Sequence, residues 1–201
     1  MTSKITGAEY LARSLDAYGV SAVFFVPTIL SRTLYELEAR TGVRRILTHG
    51  EKAAVYMADG YARASGRPGV CMAQTVGAAN LAAGLRDPFL ACSPVLALTG
   101  GPYNWSRGRS YYQEIEDFPL FKPVTKFSAQ VSDAGRLAAR SSCAAAAMAP
   151  VSGRVRSRGT VAGCGAGTGA PVSPSSTSSP ECPATSRWTG PGWPAVAAAN
   201  A

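Results

Sequence analysis

The stretch "RRILTHGEKAAVYMADGYARASGRPGVCMAQ", residues 44–74, decides the fold. "RRILTH" (44–49) reads as a strand around the apolar pair Ile46-Leu47. From Glu51 the period changes. Ala54, Met57, Ala58 and Tyr61 fall on one side of a helix, with Lys52, Asp59 and Arg63 on the other. Gly66-Arg67-Pro68-Gly69 is a turn, and "VCMAQ" (70–74) is a second short apolar run. Strand, helix and strand joined by short links form a βαβ unit, which places both strands parallel in one sheet.

The alternation continues on either side. Upstream, Thr6-Gly7-Ala8-Glu9 is a capping-box pattern, and Ala8, Leu11, Ala12 and Leu15 share a helical face that Gly19 closes. "SAVFFVP" (21–27) is a continuous apolar run suited to a strand buried on both faces. A polar helix over 31–40, closed by Thr41-Gly42, leads into Arg44. Downstream, "GAANLAAGLRDPFLA" (77–91) predicts a helix interrupted near Pro88, and "PVLALTG" (94–100) a fourth strand. Residues 101–118 read as a polar loop with one helical turn, and "KPVTKFS" (122–128) as a fifth, shorter strand. The fold class is therefore α/β, a three-layer parallel sheet with helices on both faces.

Ligands of such sheets gather outside the carboxyl ends of the strands. Those ends carry Pro27-Thr28, His49-Gly50-Glu51, Gln74-Thr75-Val76-Gly77 and Gly100-Gly101. Two readings of Glu51 stand side by side. As a first-turn acid it complements the helix dipole, a contribution of about 0.3–1 kcal/mol. As a partly buried carboxyl at a strand–helix junction it could hold or pass a proton.

Composition divides the chain near Leu137. Beyond it there is no Leu, Ile, Phe, Tyr, Asp, Lys, His or Gln. Residues 138–201 have almost no large aliphatic side chains to offset chain entropy and are expected to form a low-complexity, disordered tail. The residue set also matches GC-rich codons read out of frame, so a frameshift near residues 137–142 and a genuine extension are the two alternatives. "GCGAGTGA" (163–170) fits a dinucleotide-binding glycine pattern, but without a strand before it or a helix after it.

The net charge of +8 is dispersed. Residues 1–137 carry fifteen Lys/Arg against eleven Asp/Glu, and residues 138–201 five against one, with no basic stripe interleaved with aromatics. Neither a nucleic-acid partner nor a membrane is expected: no apolar run reaches the roughly 18 residues of a membrane span. The five cysteines form no metal-ligand spacing and are expected to be free thiols in a cytoplasmic protein. No metal site is expected within the chain.

"GEKAAVYMADGYARASGRPGV" resembles the signature of the thiamine diphosphate-dependent enzymes of the acetolactate synthase, pyruvate oxidase and benzoylformate decarboxylase group, in their N-terminal pyrimidine-binding domain. The resemblance runs from about Ile5 to Arg136. It includes Gly77-Ala78-x-Asn80, the Pro-Val-x-x-Leu-Thr-Gly strand, Tyr112-Gln113-Glu114 and Lys122-Pro123-Val124-Thr125-Lys126. It implies thiamine diphosphate as cofactor and a 2-oxo acid as substrate. Glu51 is the implied catalytic residue, hydrogen-bonded to a ring nitrogen of the cofactor's aminopyrimidine. Pro27, Val76 and Asn80 match positions lining the pyrimidine pocket, and Gln113 a glutamine near the reacting centre.

The departures bear on specificity. Phe25 stands where the family has glycine after the first strand, which is expected to narrow the approach to the cofactor. The family's Arg-His-Glu is His49-Gly50-Glu51 here, and His49 reads as structural or solvent-facing. The resemblance further implies six parallel strands in the order 2-1-3-4-6-5. No sequence after Arg136 reads as the sixth, so residues 1–137 are expected to form an incomplete domain of marginal stability. The diphosphate and its Mg²⁺ would belong to a further domain, for which residues 138–201 offer only Glu181 as an acid. The expected function is the N-terminal part of an acetolactate synthase-like enzyme, inactive alone and at least dimeric when full length. The alternative is a non-catalytic pyrimidine module that pairs with a separately encoded diphosphate-binding subunit.

Overall fold

Thr6 opens the first helix, α1 (Gly7–Ala17), by accepting the Glu9 N–H on its hydroxyl at 3.1 Å. This computed structural model describes residues 5–27 and 30–141. The chain continues through β1 (Ala22–Phe25), α2 (Ser31–Arg40), β2 (Arg44–Leu47), α3 (Glu51–Ser65), β3 (Gly69–Gln74), α4 (Thr75–Gly84), α5 (Arg86–Leu90) and β4 (Val95–Gly100). Helix α3 stops where Gly66 turns left-handed, at φ 67°. The helix expected over 77–91 starts two residues earlier and breaks at Leu85, so Gln74 passes from strand to helix without a loop.

The four strands are parallel in the order β2-β1-β3-β4. This is the first part of the order the family resemblance implies. The chain runs outward from β1 to β2, then crosses back through α3 to β3, so the order reverses between β1 and β3. A crevice at the carboxyl ends is the consequence of such a reversal.

Alternation along the strands separates two cores. Val23, Val70, Met72, Leu96 and Leu98 join Leu11 and Leu15 of α1 and Leu34 and Leu37 of α2. Ala22, Phe24, Cys71, Ala73 and Ala97 point the other way, to Ala54, Val55 and Ala58 of α3 and Leu81 of α4. One face of the sheet is thus large and the other small. On the small face α3 comes very close. A Cβ placed on Gly69 would lie 2.6 Å from the carbonyl carbon and 2.9 Å from the Cα of Ala58. Both are backbone atoms, so nothing flexible can yield.

Three expectations change. Lys122–Ser128 is not a strand: Phe118–Val124 forms a 3₁₀ segment, with Pro119 at its start and Pro123 inside it. Proline supplies no N–H to a ladder, and Phe121 is instead buried in the small-face core. The buried side of α3 is Ala54, Val55, Ala58, Asp59 and Ala62, while Met57 is exposed. The helix is rotated because α4 packs beside it, with Gly84 placed so that a Cβ would meet Val55 at 3.1 Å. Asp59, expected on the polar side, is therefore buried and bound by Arg63 through two hydrogen bonds of 2.9 and 2.7 Å.

Residues 137–141 are helical, with Leu137 buried in the large-face core. The expected tail from residue 142 onward, including 163–170, lies outside the described residues. Cys71 is free and buried, its thiol pushed up to about 12 by desolvation, and Cys92 is free and exposed. Cys143, Cys164 and Cys182 lie outside the described residues.

This packing makes two outcomes measurable. Gly69→Ala should force α3 off the sheet and cost about 1–3 kcal/mol, the range for overpacking, read from the denaturant midpoint. The Arg63 hydrogen bonds hold the Asp59 carboxyl below its ordinary value of 3.8. Its stabilisation is therefore complete above that value and is lost as pH falls through the depressed folded value. Thermal midpoints between neutral and strongly acid pH should fall more steeply for the parent than for Asp59→Asn.

Candidate functional site

The carboxyl ends of the strands are tied to one another before any functional side chain is placed. Thr48, just past β2, donates its N–H to the Phe25 carbonyl at 2.8 Å, and its hydroxyl bonds the Phe25 and Gly50 carbonyls at 3.2 and 3.0 Å. Thr75, at the start of α4, donates its hydroxyl to the Gly100 carbonyl of β4 at 2.9 Å. These two buried threonines fix the starts of α3 and α4 relative to the sheet.

Glu51 is the first residue of α3 and is half-buried. Its Oε2 accepts a hydrogen bond from Asn80 Nδ2 at 3.1 Å. A carboxylate only accepts, so the Asn80 amide must present its NH₂ side. The other carboxylate oxygen lies over Gly77. A Cβ on Gly77 would sit 2.9 Å from Cγ and Cδ of Glu51 and closer still to Oε1. Val76 stays largely exposed beside this pair, at 45 %. The structure thus brings together Glu51 and Asn80 with Gly77. Pro27 is exposed just past β1, on the same edge of the sheet.

Gln113 comes from the loop after β4. It is half-buried and left-handed, with φ 62°. The neighbouring Glu114 holds the loop by accepting the N–H groups of Gly108 at 2.6 Å and Tyr111 at 3.1 Å, which keep its carboxyl below the usual range. Tyr103 stacks on Trp105 with ring centroids 5.9 Å apart, and Trp105 meets the edge of Tyr111 at the same distance. The side chain of Gln113 accepts a hydrogen bond from Gln74, at the carboxyl end of β3. The strained backbone at Gln113 is thereby held in place from two sides.

His49 is exposed. Phe25 packs against the large-face core, away from the α3 side that carries Glu51, so it does not narrow the approach to that carboxylate. Sequence reasoning does not single out Gln74, whose only signal is position at the carboxyl end of a strand, while Gly77 appears as part of the Gly77-Ala78-x-Asn80 match.

Among the described residues no cluster of three or more His, Cys, Asp or Glu could hold a metal ion. No helix among them is long and apolar enough to cross a membrane. A separate cavity of about 1040 Å³ lies between α1 and α2, lined by Leu11, Leu30, Tyr35, Val131 and Leu137 among others. It contains none of the residues around Glu51.

Comparison with known proteins gives the same reading. Residues 5–120 match the family model "Thiamine pyrophosphate enzyme, N-terminal TPP binding domain". The chain is 39 % identical over 126 residues to a probable acetolactate synthase large subunit of Methanocaldococcus jannaschii, covering 62 % of this chain and 21 % of that protein. It is 34 % identical over 129 residues to a probable 2-ketoarginine decarboxylase of Pseudomonas aeruginosa, covering 62 % and 23 %. It is 35 % identical over 139 residues to an acetolactate synthase of Arthrospira platensis, covering 67 % and 24 %. The alignments thus span less than a quarter of each of these relatives. The matched domain, the parallel sheet and these relatives agree: the chain belongs to the thiamine pyrophosphate (thiamine diphosphate) enzyme family and carries its N-terminal TPP-binding domain.

Proposed function

We propose that this chain is the N-terminal part of an acetolactate synthase-like enzyme that decarboxylates and ligates 2-oxo acids. In this reading Glu51 binds the aminopyrimidine of thiamine diphosphate. The observation that carries it is the Glu51 carboxylate, half-buried at the carboxyl edge of a parallel sheet and fixed by Asn80 at 3.1 Å. The donor set suits such a ring. Glu51 would accept from a ring nitrogen in the imino or protonated form of the aminopyrimidine, the form a carboxylate favours, while Val76 and Pro27 offer apolar surface to the ring's faces. Bound thiamine diphosphate supplies the thiazolium carbon that adds to a 2-oxo acid and takes up electrons as carbon dioxide leaves. Gln113, held at the edge by Gln74, offers its amide to the substrate. In this reading the diphosphate and its Mg²⁺ are held by a further domain.

The full-length enzyme would be at least a dimer, with the cofactor between this domain and a diphosphate-binding one. The outward side of α3 supports this, since Tyr56 and Met57 are exposed about one and a half turns beyond Glu51. Free thiols at Cys71 and Cys92 suit a cytoplasmic setting. Alone, the chain would bind the ring and turn over nothing.

Calorimetric titration with thiamine tests this directly. A hydrogen bond to a charged group contributes about 1.5–3 kcal/mol. Glu51→Gln should therefore weaken binding roughly ten- to hundredfold with the unfolding midpoint nearly unchanged. Equal affinity in the parent and the variant would remove Glu51 from the site.

A further inference from the structure

Two glycines of this fold meet neighbours of different kinds. At Gly69 the three atoms nearest a built Cβ are all backbone atoms of Ala58. That glycine serves helix–sheet packing. At Gly77 the three nearest are Oε1, Cδ and Cγ of Glu51, and no backbone atom is among them. A methyl group there would first meet the Glu51 side chain. Gly77 is itself buried, because Glu51 lies across it.

Three residues further along the same helix, Asn80 donates to Oε2 of that carboxylate. Positions three apart are neighbours on a helix surface. The first turns of α4 therefore meet Glu51 twice, through a bare Cα under one oxygen and an amide on the other. Thr75 anchors this turn to β4, so the platform is rigid. A free glutamate side chain has three rotatable bonds and loses rotamer entropy on being fixed. Here α4 fixes it before any ligand arrives, and preorganisation of this kind raises affinity.

We propose that Gly77 and Asn80 are positioning residues that aim the Glu51 carboxylate, a role that rests on the reading of Glu51 as the ring-binding group. Gly77 supplies the space and Asn80 the bond. Neither needs to touch the cofactor.

The experiment has two arms on the full chain. The first needs no ligand. In a ¹H–¹⁵N NMR spectrum the side-chain amide of Asn80 reports its bond to Glu51. Gly77→Ala and Glu51→Ala should each move that signal to the position of a solvent-exposed amide, with the backbone amides of the β-strands unmoved. An Asn80 signal unchanged in Gly77→Ala overturns the proposal. The second arm is titration with thiamine. Gly77→Ala and Asn80→Ala should each bind about tenfold more weakly, as expected when a charge-assisted hydrogen bond is broken or misdirected.

The outcomes separate the two claims. If Glu51→Gln binds like the parent, the reading of Glu51 fails, whatever the NMR arm shows. If Glu51→Gln loses binding while Gly77→Ala and Asn80→Ala do not, the positioning role is overturned and the reading stands. A Gly77→Ala chain that does not fold would assign Gly77 to packing and overturn its role. Asn80 is exposed, so Asn80→Ala then decides the remaining half.

Discussion

The closeness of α3 to the sheet is the constraint that sets everything else. Gly69 and Ala58 meet backbone to backbone, which only small residues on both sides allow. Alanine and cysteine of β3 on that face, and alanine at positions 54, 58 and 62 of the helix, keep the interface thin beside Gly69. A thin layer leaves room for α4 beside α3, where Gly84 fits against Val55. It also sets where α3 begins, and hence where Glu51 stands at the edge of the sheet.

Burial on that face has an electrostatic side. Rotating α3 toward α4 buries Asp59, which remains tolerable because Arg63 lies one turn away and binds both carboxylate oxygens. Glu51, at the other end of the same helix, is met instead by the neutral amide of Asn80. The first carboxylate is neutralised within its own helix. The second stands at the rim of the crevice, oriented by an amide. One helix thus carries two acids distinguished by their partners, and the proposed function assigns chemistry to the second.

Much of this was legible in the sequence. Strand and helix order followed from the changes of period, and each of the four observed strands ends within two residues of its expected place. Glu51 came from its place at a strand end together with the family resemblance, and Asn80 from the resemblance alone. Ala54, Ala58 and Tyr61 lie on the packed side of α3 as periodicity predicts, but periodicity cannot say that a second helix will also cover Val55, that Asp59 will be buried or that Met57 will be exposed. Lys122–Ser128 looked like a strand by composition, but two prolines nearby and the burial of Phe121 turn this region away from the sheet. The bond from Gln74 to Gln113 joins residues 39 apart through a loop whose path no local pattern gives. Gly77 was visible only as a member of a motif. Its purpose appears once the carboxylate lying over it is seen.

Two places on the domain could receive the cofactor's ring: the carboxyl edge around Glu51 and the groove between α1 and α2. The proposed function requires the first. Mapping amide shifts in a ¹H–¹⁵N NMR titration of the chain with thiamine separates them. Binding at the edge would concentrate the shifts at Glu51, Val76, Gly77 and Asn80. Shifts at Leu11, Tyr35 and Val131, with Glu51 and Gly77 unmoved, would contradict it.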